Sequence, residues 1–270
     1  MPDFPPNPLA RPGYRLDFHD EFDGGDLDRQ KWLPFHLPQW SSRRLAAARY
    51  AIAGGSLVLR IDREQEPWCP EYDGQNRVSS LQTGVFSGTA GSRTGQHRFN
   101  PGSVVREPQA AERTYTPQFG YFEIRAKAVA SPTNHVALWM IGYEDAPERS
   151  AEIAICEIMG ATIGPASSRV GYGLHPWSDP TIRDEFHEDT LPIDAREFHV
   201  YAAEWTPNRV DFHVDNRMIR SIRQSPQYPM QFMLGIYERP SVAKPGDPVG
   251  PYPKQFVVDY FRAWQPLGGY

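Results

Sequence analysis

Short runs of β-branched and apolar residues recur along this chain, and no long segment has the 3.6-residue apolar period of an amphipathic helix. Turn residues separate most of the runs, as expected of a chain with 27 prolines and 22 glycines. The pattern predicts an all-β fold, with short helical turns only at 27–32 and 45–49. The predicted strands are 56–61, 78–85, 119–128, 136–141, 152–159, 198–205, 210–214, 230–236 and 256–264.

Two of these runs alternate clearly between apolar and polar residues, as a strand does when one face is buried. They are 120–128 and 210–214, and the second leads into Asp215-Asn216, a pair that tolerates the positive φ angles of a two-residue hairpin. Most connections are too short for crossover helices, so the strands should be antiparallel. Two packed antiparallel sheets, a β-sandwich, are the predicted architecture.

The length of 270 residues fits one large β domain, which we expect over 14–270. Residues 1–13 are rich in proline and are predicted to be an extension that drapes over the surface or frays. The segments 86–118 and 239–254 are predicted to be long functional loops, because strand-like runs on both sides belong to one core.

Composition excludes several classes of partner. A formal net charge of -5 disfavours binding to nucleic acid or to an anionic membrane, and no apolar run is long enough to span a bilayer. The two cysteines, Cys69 and Cys156, establish no disulfide framework, since Cys156 lies within a strand-like run where a free thiol behaves as a small apolar group. We expect a monomer. We expect no catalytic metal, because the histidines lack metal-ligand spacing.

Two glutamates, Glu152 and Glu157, interrupt the apolar run 151–159. A regular strand would point them to opposite faces, because their numbers differ by five. A β-bulge near Ile155-Cys156 would bring both onto the face of Ala154, and bulges often lie beside active sites. The pair is therefore a candidate catalytic pair of carboxyl groups. The alternative is that both are edge-strand charges that deter aggregation.

The run Glu152-Ile153-Ala154-Ile155-Cys156-Glu157 resembles the Glu-x-Asp-x-x-Glu signature of glycoside hydrolase family 16. The resemblance continues in order over about residues 14–266. The segments of the chain that are similar to the family are 16–24 (with Leu27-Asp28 and Lys31-Trp32), 82–84, 120–127, 137–139, 198–207, 214–215 and 258–262. It implies a concanavalin-like jelly roll whose concave sheet holds an open polysaccharide cleft.

The same resemblance implies that Glu152 is the nucleophile and Glu157 the acid/base of a retaining glycosidase. A retaining pair needs carboxyl groups about 5 to 5.5 Å apart. Glu157 should then have the higher pKa, raised by burial and by its partner's charge. The chain departs from the family at Ala154, where an Asp supports the glutamates. Glu152 should therefore be held less firmly unless His175 or an ordered water supplies the support.

Several aromatic residues and histidines are candidate sugar contacts. By resemblance, Trp139 stacks on a sugar and His175 lies in the cleft; a core tryptophan and an ordinary hydrogen-bonded histidine are the alternatives. Trp177, Trp40 and Trp68 are either sugar platforms or loop anchors. The resemblance also allows a structural calcium held by Glu21, Gly54 and Asp259. The alternative is that Asp259 simply pairs with Arg262 or caps a turn.

The function expected from the sequence is retaining endo-hydrolysis of a polysaccharide, with β-1,3-glucan as the best single substrate. Arginines in 86–118 and at Arg183 keep an anionic or sulfated galactan open as an alternative. A second alternative is a sugar-binding β-sandwich that has lost catalysis, of which Ala154 would be the trace. The family acts mostly outside the cell, yet the chain starts at Met1 without a signal-peptide pattern, which leaves a cytoplasmic location open.

Overall fold

The structure is a computed structural model that describes residues 2–247 and 250–270. Met1 and positions 248–249 of the predicted loop 239–254 lie outside the described residues. Two large antiparallel sheets pack face to face, so the predicted all-β sandwich is confirmed. No helix in the described part of the chain has the length and apolar character needed to cross a membrane.

The eight-stranded sheet has the order β14-β13-β12-β7-β16-β3-β2, and β1 also pairs with β16. Antiparallel pairing throughout agrees with the short connections of the sequence. Its strands are β1 (Tyr14–Asp20), β2 (Tyr50–Ile52), β3 (Leu57–Ile61), β7 (Gly120–Lys127), β12 (His199–Trp205), β13 (Val210–Val214), β14 (Arg217–Ile222) and β16 (Lys254–Pro266).

The six-stranded sheet has the order β11-β10-β9-β8-β15-β4 and holds the two glutamates on β9. A separate pair, β5 (Gly84–Val85) and β6 (Glu112–Arg113), closes the base of the long loop 86–111. The six strands are β4 (Arg77–Gln82), β8 (Asn134–Gly142), β9 (Glu152–Met159), β10 (Ser168–His175), β11 (Glu185–Leu191) and β15 (Met230–Glu238).

Helical structure is limited to single turns. The α-helices are α1 (Arg43–Ala46) and α2 (Pro70–Asp73), and 3-10 turns occur at Pro38–Trp40, Gly160–Thr162 and Pro240–Val242. The helical turn predicted at 27–32 is present as a single hydrogen-bonded turn, in which the carbonyl of Asp28 accepts from the N–H groups of Lys31 and Trp32. The one predicted at 45–49 lies two residues earlier, because Ser42 caps the backbone N–H of Leu45.

The six-stranded sheet is apolar on both faces. Its inner face joins the core between the sheets, where Ile153, Ile155, Cys156 and Ile158 are buried. A second apolar cluster covers its outer face, and there the loops supply Trp40 and Trp68, among others, to pack on strand residues. We call this outer side the groove face. The two cysteines are buried free thiols in different clusters.

Residues 2–13 lie along the outer face of the eight-stranded sheet, far from the groove face. The backbone of Phe4 donates to Phe198 O, Arg262 donates to the carbonyl of Asn7, and Trp264 Nε1 donates to the carbonyl of Leu9. These bonds satisfy backbone groups that proline prevents from joining a sheet ladder.

Candidate active site

A bulge in β9 determines the direction of both glutamates. Cys156 pairs with Leu138 of β8, but Ala154 pairs with the next residue, Trp139, so Ile155 is the extra residue. The pairing with β10 shifts at the same place. Ile155 and Cys156 both enter the core, and Glu152 and Glu157 line one cavity of about 220 Å³ on the groove face. The predicted bulge is therefore present, and the carboxyl groups share one side of the sheet.

Glu152 is the more deeply buried of the two carboxyl groups, at 5% exposure. Its Oε2 accepts a hydrogen bond of 2.8 Å from Trp177 Nε1, and His175 lies opposite it on β10. Trp177 follows β10 with a positive φ of 47° and is 47% exposed. The indole thus supplies a donor to Glu152 in a chain that has Ala154 at the family's aspartate position. The support predicted from the sequence is His175 or water, and no sequence signal indicates Trp177 in this role.

Burial raises the pKa of Glu152 to about 7, and the negative charge of Glu157 adds to the rise. Burial also raises the pKa of Glu157, while His175 and Arg239 act in the opposite direction. The prediction that the pKa of Glu157 is raised by burial agrees with this, and the order of the two pKa values stays a prediction.

Trp139 and His175 both line the cavity of the carboxyl groups, as does Trp177. Trp139 pairs with Ala154 across β8 and β9, and its Nε1 donates to Tyr237 Oη at 2.8 Å. His175 Nδ1 lies 2.6 Å from Asp184 Oδ1, and its ring stacks on Phe186. The cavity therefore combines two acids with aromatic faces, which suit the C–H surfaces of a sugar ring.

The other two tryptophans proposed as sugar platforms or loop anchors, Trp40 and Trp68, lie at different places on the groove face. Trp40 is fully buried, and its Nε1 donates to the carbonyl of Gln96, which anchors the long loop. Trp68 lines a neighbouring cavity of the groove face. That cavity also contains residues that sequence reasoning did not connect with the site, namely His36, His97, His135 and Tyr237. His135 shares its strand parity with Trp139, a signal that could have found it, whereas His36 and His97 lie in loops.

The carboxylates that the resemblance offers to a structural calcium do not fit a cation site. Both oxygens of Glu21 accept hydrogen bonds from Arg262, at 2.9 and 2.6 Å, and Asp259 pairs with Arg125 at 2.8 Å. Two carboxylates already neutralised by guanidinium groups offer little charge to a calcium ion. Within the described residues, no group of three or more His, Cys, Asp or Glu side chains has the arrangement of a metal site.

Comparisons with known proteins agree with this fold. The sequence model described as "Glycosyl hydrolases family 16" matches residues 110–261, more than half of the chain. The chain belongs to glycosyl hydrolases family 16.

Among solved structures, the chain is similar to the "GlcNAcα1-4Gal releasing endo-β-galactosidase" of Clostridium perfringens. The match has 34% identity and a TM-score of 0.86, and it covers 100% of this chain and 66% of that one. The laminarinase of Thermotoga petrophila RKU-1 shares the fold, at 18% identity and a TM-score of 0.66 over 94% of this chain and 98% of that one.

A curated relative, the "Glucan endo-1,3-beta-glucosidase A1" of Niallia circulans, is 20% identical over 94% of this chain and 34% of its own length. The "Beta-glucanase" of Fibrobacter succinogenes is 33% identical over 38% of this chain and 29% of its own. The chain thus spans about a third of the length of the first curated relatives that it matches.

Proposed function

We propose that the protein is a retaining endo-β-galactosidase in which Glu152 is the nucleophile and Glu157 the acid/base. The observation that carries the proposal is the bulge at Ile155, which turns both carboxyl groups into one aromatic-walled cavity. The choice of galactose rests on the similarity to the Clostridium perfringens endo-β-galactosidase, which extends over the whole chain at 34% identity.

The chemistry follows double displacement. A galactose ring in the cavity lies against Trp139, and the Glu152 carboxylate attacks the anomeric carbon while Glu157 protonates the departing glycosidic oxygen. The C–O bond to the leaving sugar breaks, and a galactosyl ester forms on Glu152. Glu157, now ionised, then takes a proton from water, whose oxygen attacks the same carbon and frees Glu152. The anomeric configuration is retained after two inversions.

The charge of the cavity favours a neutral sugar. None of the described residues that line the 220 Å³ cavity is an arginine or a lysine. Three loop arginines have other contacts: Arg98 donates to the carbonyls of Pro101 and Ser103, Arg106 pairs with Glu71, and Arg113 with Asp145. Arg183 lines a separate cavity beyond the loop that carries Trp177. A sulfated galactan would therefore meet no arginine or lysine within this cavity, and Arg239, whose charge acts on Glu157, lines the adjoining cavity.

A substrate panel tests the proposed function. Purified protein is incubated with a glycan ending in GlcNAcα1-4Galβ, a neutral β-galactan, a sulfated galactan and laminarin, and the products are identified by mass spectrometry. We expect cleavage of β-galactosidic bonds that is lost in Glu152→Gln. Cleavage of laminarin alone would overturn the choice of galactose. It would support β-1,3-glucan, the substrate stated in the name of the Niallia circulans relative. Binding without turnover would support the sugar-binding alternative.

The raised pKa values predict a narrow pH profile. The pair is active with one proton, which the two carboxyl groups share in macroscopic steps. Since the pKa of Glu152 is about 7, kcat/KM should fall as pH rises above about 7, where the pair loses this proton. At lower pH, near the raised pKa of Glu157, kcat/KM should also fall, because a second proton neutralises the nucleophilic carboxylate. Initial rates from pH 4 to 9 with a β-galactoside check this, and a flat profile between about pH 6 and 9 would contradict it.

Trp177→Phe should reduce kcat, because it removes the donor to the charged form of Glu152 while keeping an aromatic ring beside His97. A hydrogen bond to a charged group contributes about 2 kcal/mol, which corresponds to a loss of ~30-fold. The basic limb should move to higher pH, since this bond lowers the pKa of Glu152. Trp264→Phe is the control: it also removes an indole donor, but on the other sheet. Unchanged kcat and pH profile in Trp177→Phe would refute the positioning role.

A further inference from the structure

A series of contacts that ends at Glu152 begins outside the catalytic cavity, at Glu144. This glutamate lies two residues beyond the end of β8, in the connection to β9, and does not line the cavity of the two acids. Its Oε1 accepts a hydrogen bond of 2.5 Å from the backbone N–H of His97. His97 belongs to the long loop 86–111 and does line that cavity. The bond therefore joins two loops at the edge of the site.

The imidazole ring of His97 packs against two indole rings of the site. Its centroid lies 4.9 Å from that of Trp139 and 4.5 Å from that of Trp177, and both contacts are edge-to-face. Burial lowers the pKa of His97 to about 3, so the ring is neutral near pH 7. Trp177, which donates to Glu152, is largely exposed on its other sides. The position of the His97 ring therefore limits where the Trp177 indole can move.

The peptide unit between Gln96 and His97 is held at both of its polar ends. The carbonyl of Gln96 accepts from Gln39 Nε2 at 3.0 Å and from Trp40 Nε1 at 2.8 Å, and the N–H of His97 donates to Glu144. Because a peptide unit is planar, bonds at both ends fix its orientation, and with it the direction in which the His97 side chain leaves the loop. Without an acceptor at Glu144, one of these ends is released.

The backbone conformation is unusual at three members of this series. Among the described residues, eight other than glycine have a positive φ, and they include Glu144 at 58°, His97 at 50° and Trp177 at 47°. Side chains other than glycine's disfavour this left-handed region, so such residues persist only where their surroundings hold them, and they gather at functional sites. Three of them in mutual contact beside Glu152 indicate that the packing here maintains a defined geometry.

The surroundings of Glu144 favour a neutral acceptor. Arg113 and Arg149 pair with the adjacent Asp145, at 3.2 and 3.0 Å, and Glu144 makes no ion pair with any described residue. Burial raises the pKa of Glu144 to about 8, although the bond from His97 acts in the opposite direction. Most of the carboxyl groups are therefore protonated at pH 7, and the carbonyl oxygen of the acid still accepts from His97. An amide in this place would keep the same acceptor.

We propose that Glu144 and His97 are positioning residues of the catalytic site. Glu144 fixes the peptide unit at His97, and the His97 ring holds the Trp177 indole where it donates to Glu152. The inference rests on the proposed function in one respect, namely that Glu152 is the nucleophile. Glu144 acts only through the other members of the series, and the loop 86–111 is thereby connected to a carboxyl group on β9.

Glu144→Met keeps an unbranched side chain of similar length and removes the acceptor, so it should reduce kcat by about 5-fold, the effect of one hydrogen bond. The basic limb of the pH profile should move to higher pH, since the bond from Trp177 lowers the pKa of Glu152. Glu144→Gln should restore both values. Glu148→Met is the matched control, because Glu148 is exposed in the same connection. Equal kinetics in the Met and Gln variants of Glu144 would refute the role of its acceptor oxygen.

A double-mutant cycle separates positioning through Trp177 from a general structural role. In Trp177→Phe the bond to Glu152 is already absent, so adding Glu144→Met should cost nothing more. The double variant should then lose ~30-fold in kcat, whereas independent effects would multiply to ~150-fold. Independent effects would refute the proposed series of contacts.

A measurement without substrate distinguishes this inference from the proposed function. In protein with ¹⁵N-labelled tryptophan, the indole N–H signal that is absent in Trp177→Phe should move with pH around about 7, as Glu152 ionises. The movement should be lost in Glu144→Met and kept in Glu144→Gln. If Glu144→Met does not fold, His97→Asn, which tolerates a positive φ but lacks the ring, should have the same effect. These responses in a protein without glycosidase activity would refute only the proposed function, and an unchanged signal in the folded variants would refute the positioning role.

Discussion

Glu152→Gln is expected to reduce kcat by on the order of 10⁴-fold on every substrate, because an amide cannot form the glycosyl ester. The side chain keeps its shape, and its carbonyl oxygen still accepts from Trp177 Nε1. Substrate binding should therefore persist while turnover stops. Steady-state kinetics on a β-galactoside, with circular dichroism to verify folding, measure this. A fully active variant would remove Glu152 from the mechanism.

The same substitution should not destabilise the fold at alkaline pH. The pKa of Glu152 is raised in the folded state, from an ordinary 4.5 to about 7, so the folded protein binds more protons than the unfolded chain between these values. Stability contributed by this residue is thus present at low pH and is lost as pH rises through about 7. The shift corresponds to about 3 kcal/mol, which glutamine would recover. A Tm at pH 8 equal to or above that of wild type is expected.

Glu157→Gln is expected to reduce the rate by about 10²- to 10⁴-fold for leaving groups that need a proton, such as a second sugar. A 2,4-dinitrophenyl leaving group departs without protonation, so formation of the ester should be nearly normal and its hydrolysis slow. Azide, which needs no general base, should restore turnover and yield a β-galactosyl azide. The decline of activity above about pH 7 should also disappear, since the group that supplies the proton is absent.

Glu66→Gln is the matched control for this variant, because Glu66 is exposed and pairs with Arg44 outside the catalytic cavity. It should be indistinguishable from wild type with both leaving groups. If Glu157→Gln lost equal activity with good and poor leaving groups, Glu157 would not be the acid that protonates the departing oxygen.

The resemblance to the family implies an aspartate at the position of Ala154, and the hydrogen bond from Trp177 gives Glu152 a support in its absence. The indole bond to Glu152 supports the charged carboxylate without adding a third negative charge to a cavity where burial already disfavours two. Restoring the aspartate in Ala154→Asp would introduce such a charge, so the geometry gives no reason for a gain in turnover.

Much of the fold could be predicted because local patterns specify it. Strands β9 and β13 occur where the apolar runs place them, and the hairpin at Asp215-Asn216 has the predicted positive φ at both residues. The bulge was predictable because two acids at odd spacing in an apolar strand cannot otherwise share a face.

Strands β10, β11 and β14 were missed because their sequences are polar or interrupted by glycine. Gly173 of β10 illustrates the reason. A Cβ there would lie 2.3 Å from Glu185 O, and φ is 149°, so close approach of the next strand requires glycine where a β pattern disfavours it. Packing between strands, which sequence alone does not contain, determines this position.

The site was predictable in part for similar reasons. His175 pairs with Glu152 on one side of β9, and Trp139 pairs with Ala154 on the other, so strand order makes both neighbours of the acids. His36 and His97 reach the groove face from loops distant in sequence. Tertiary packing determines their place, so the sequence did not predict it.

Trapping of the glycosyl ester tests the central claim most directly. A 2-deoxy-2-fluoro-β-galactosyl donor with a good leaving group slows ester hydrolysis, and digestion followed by mass spectrometry locates the label. We expect one fluorogalactosyl group per chain, attached to Glu152. A label on any other residue, or a product released with inverted configuration and no label, would contradict the assignment of Glu152 and Glu157 as a retaining pair.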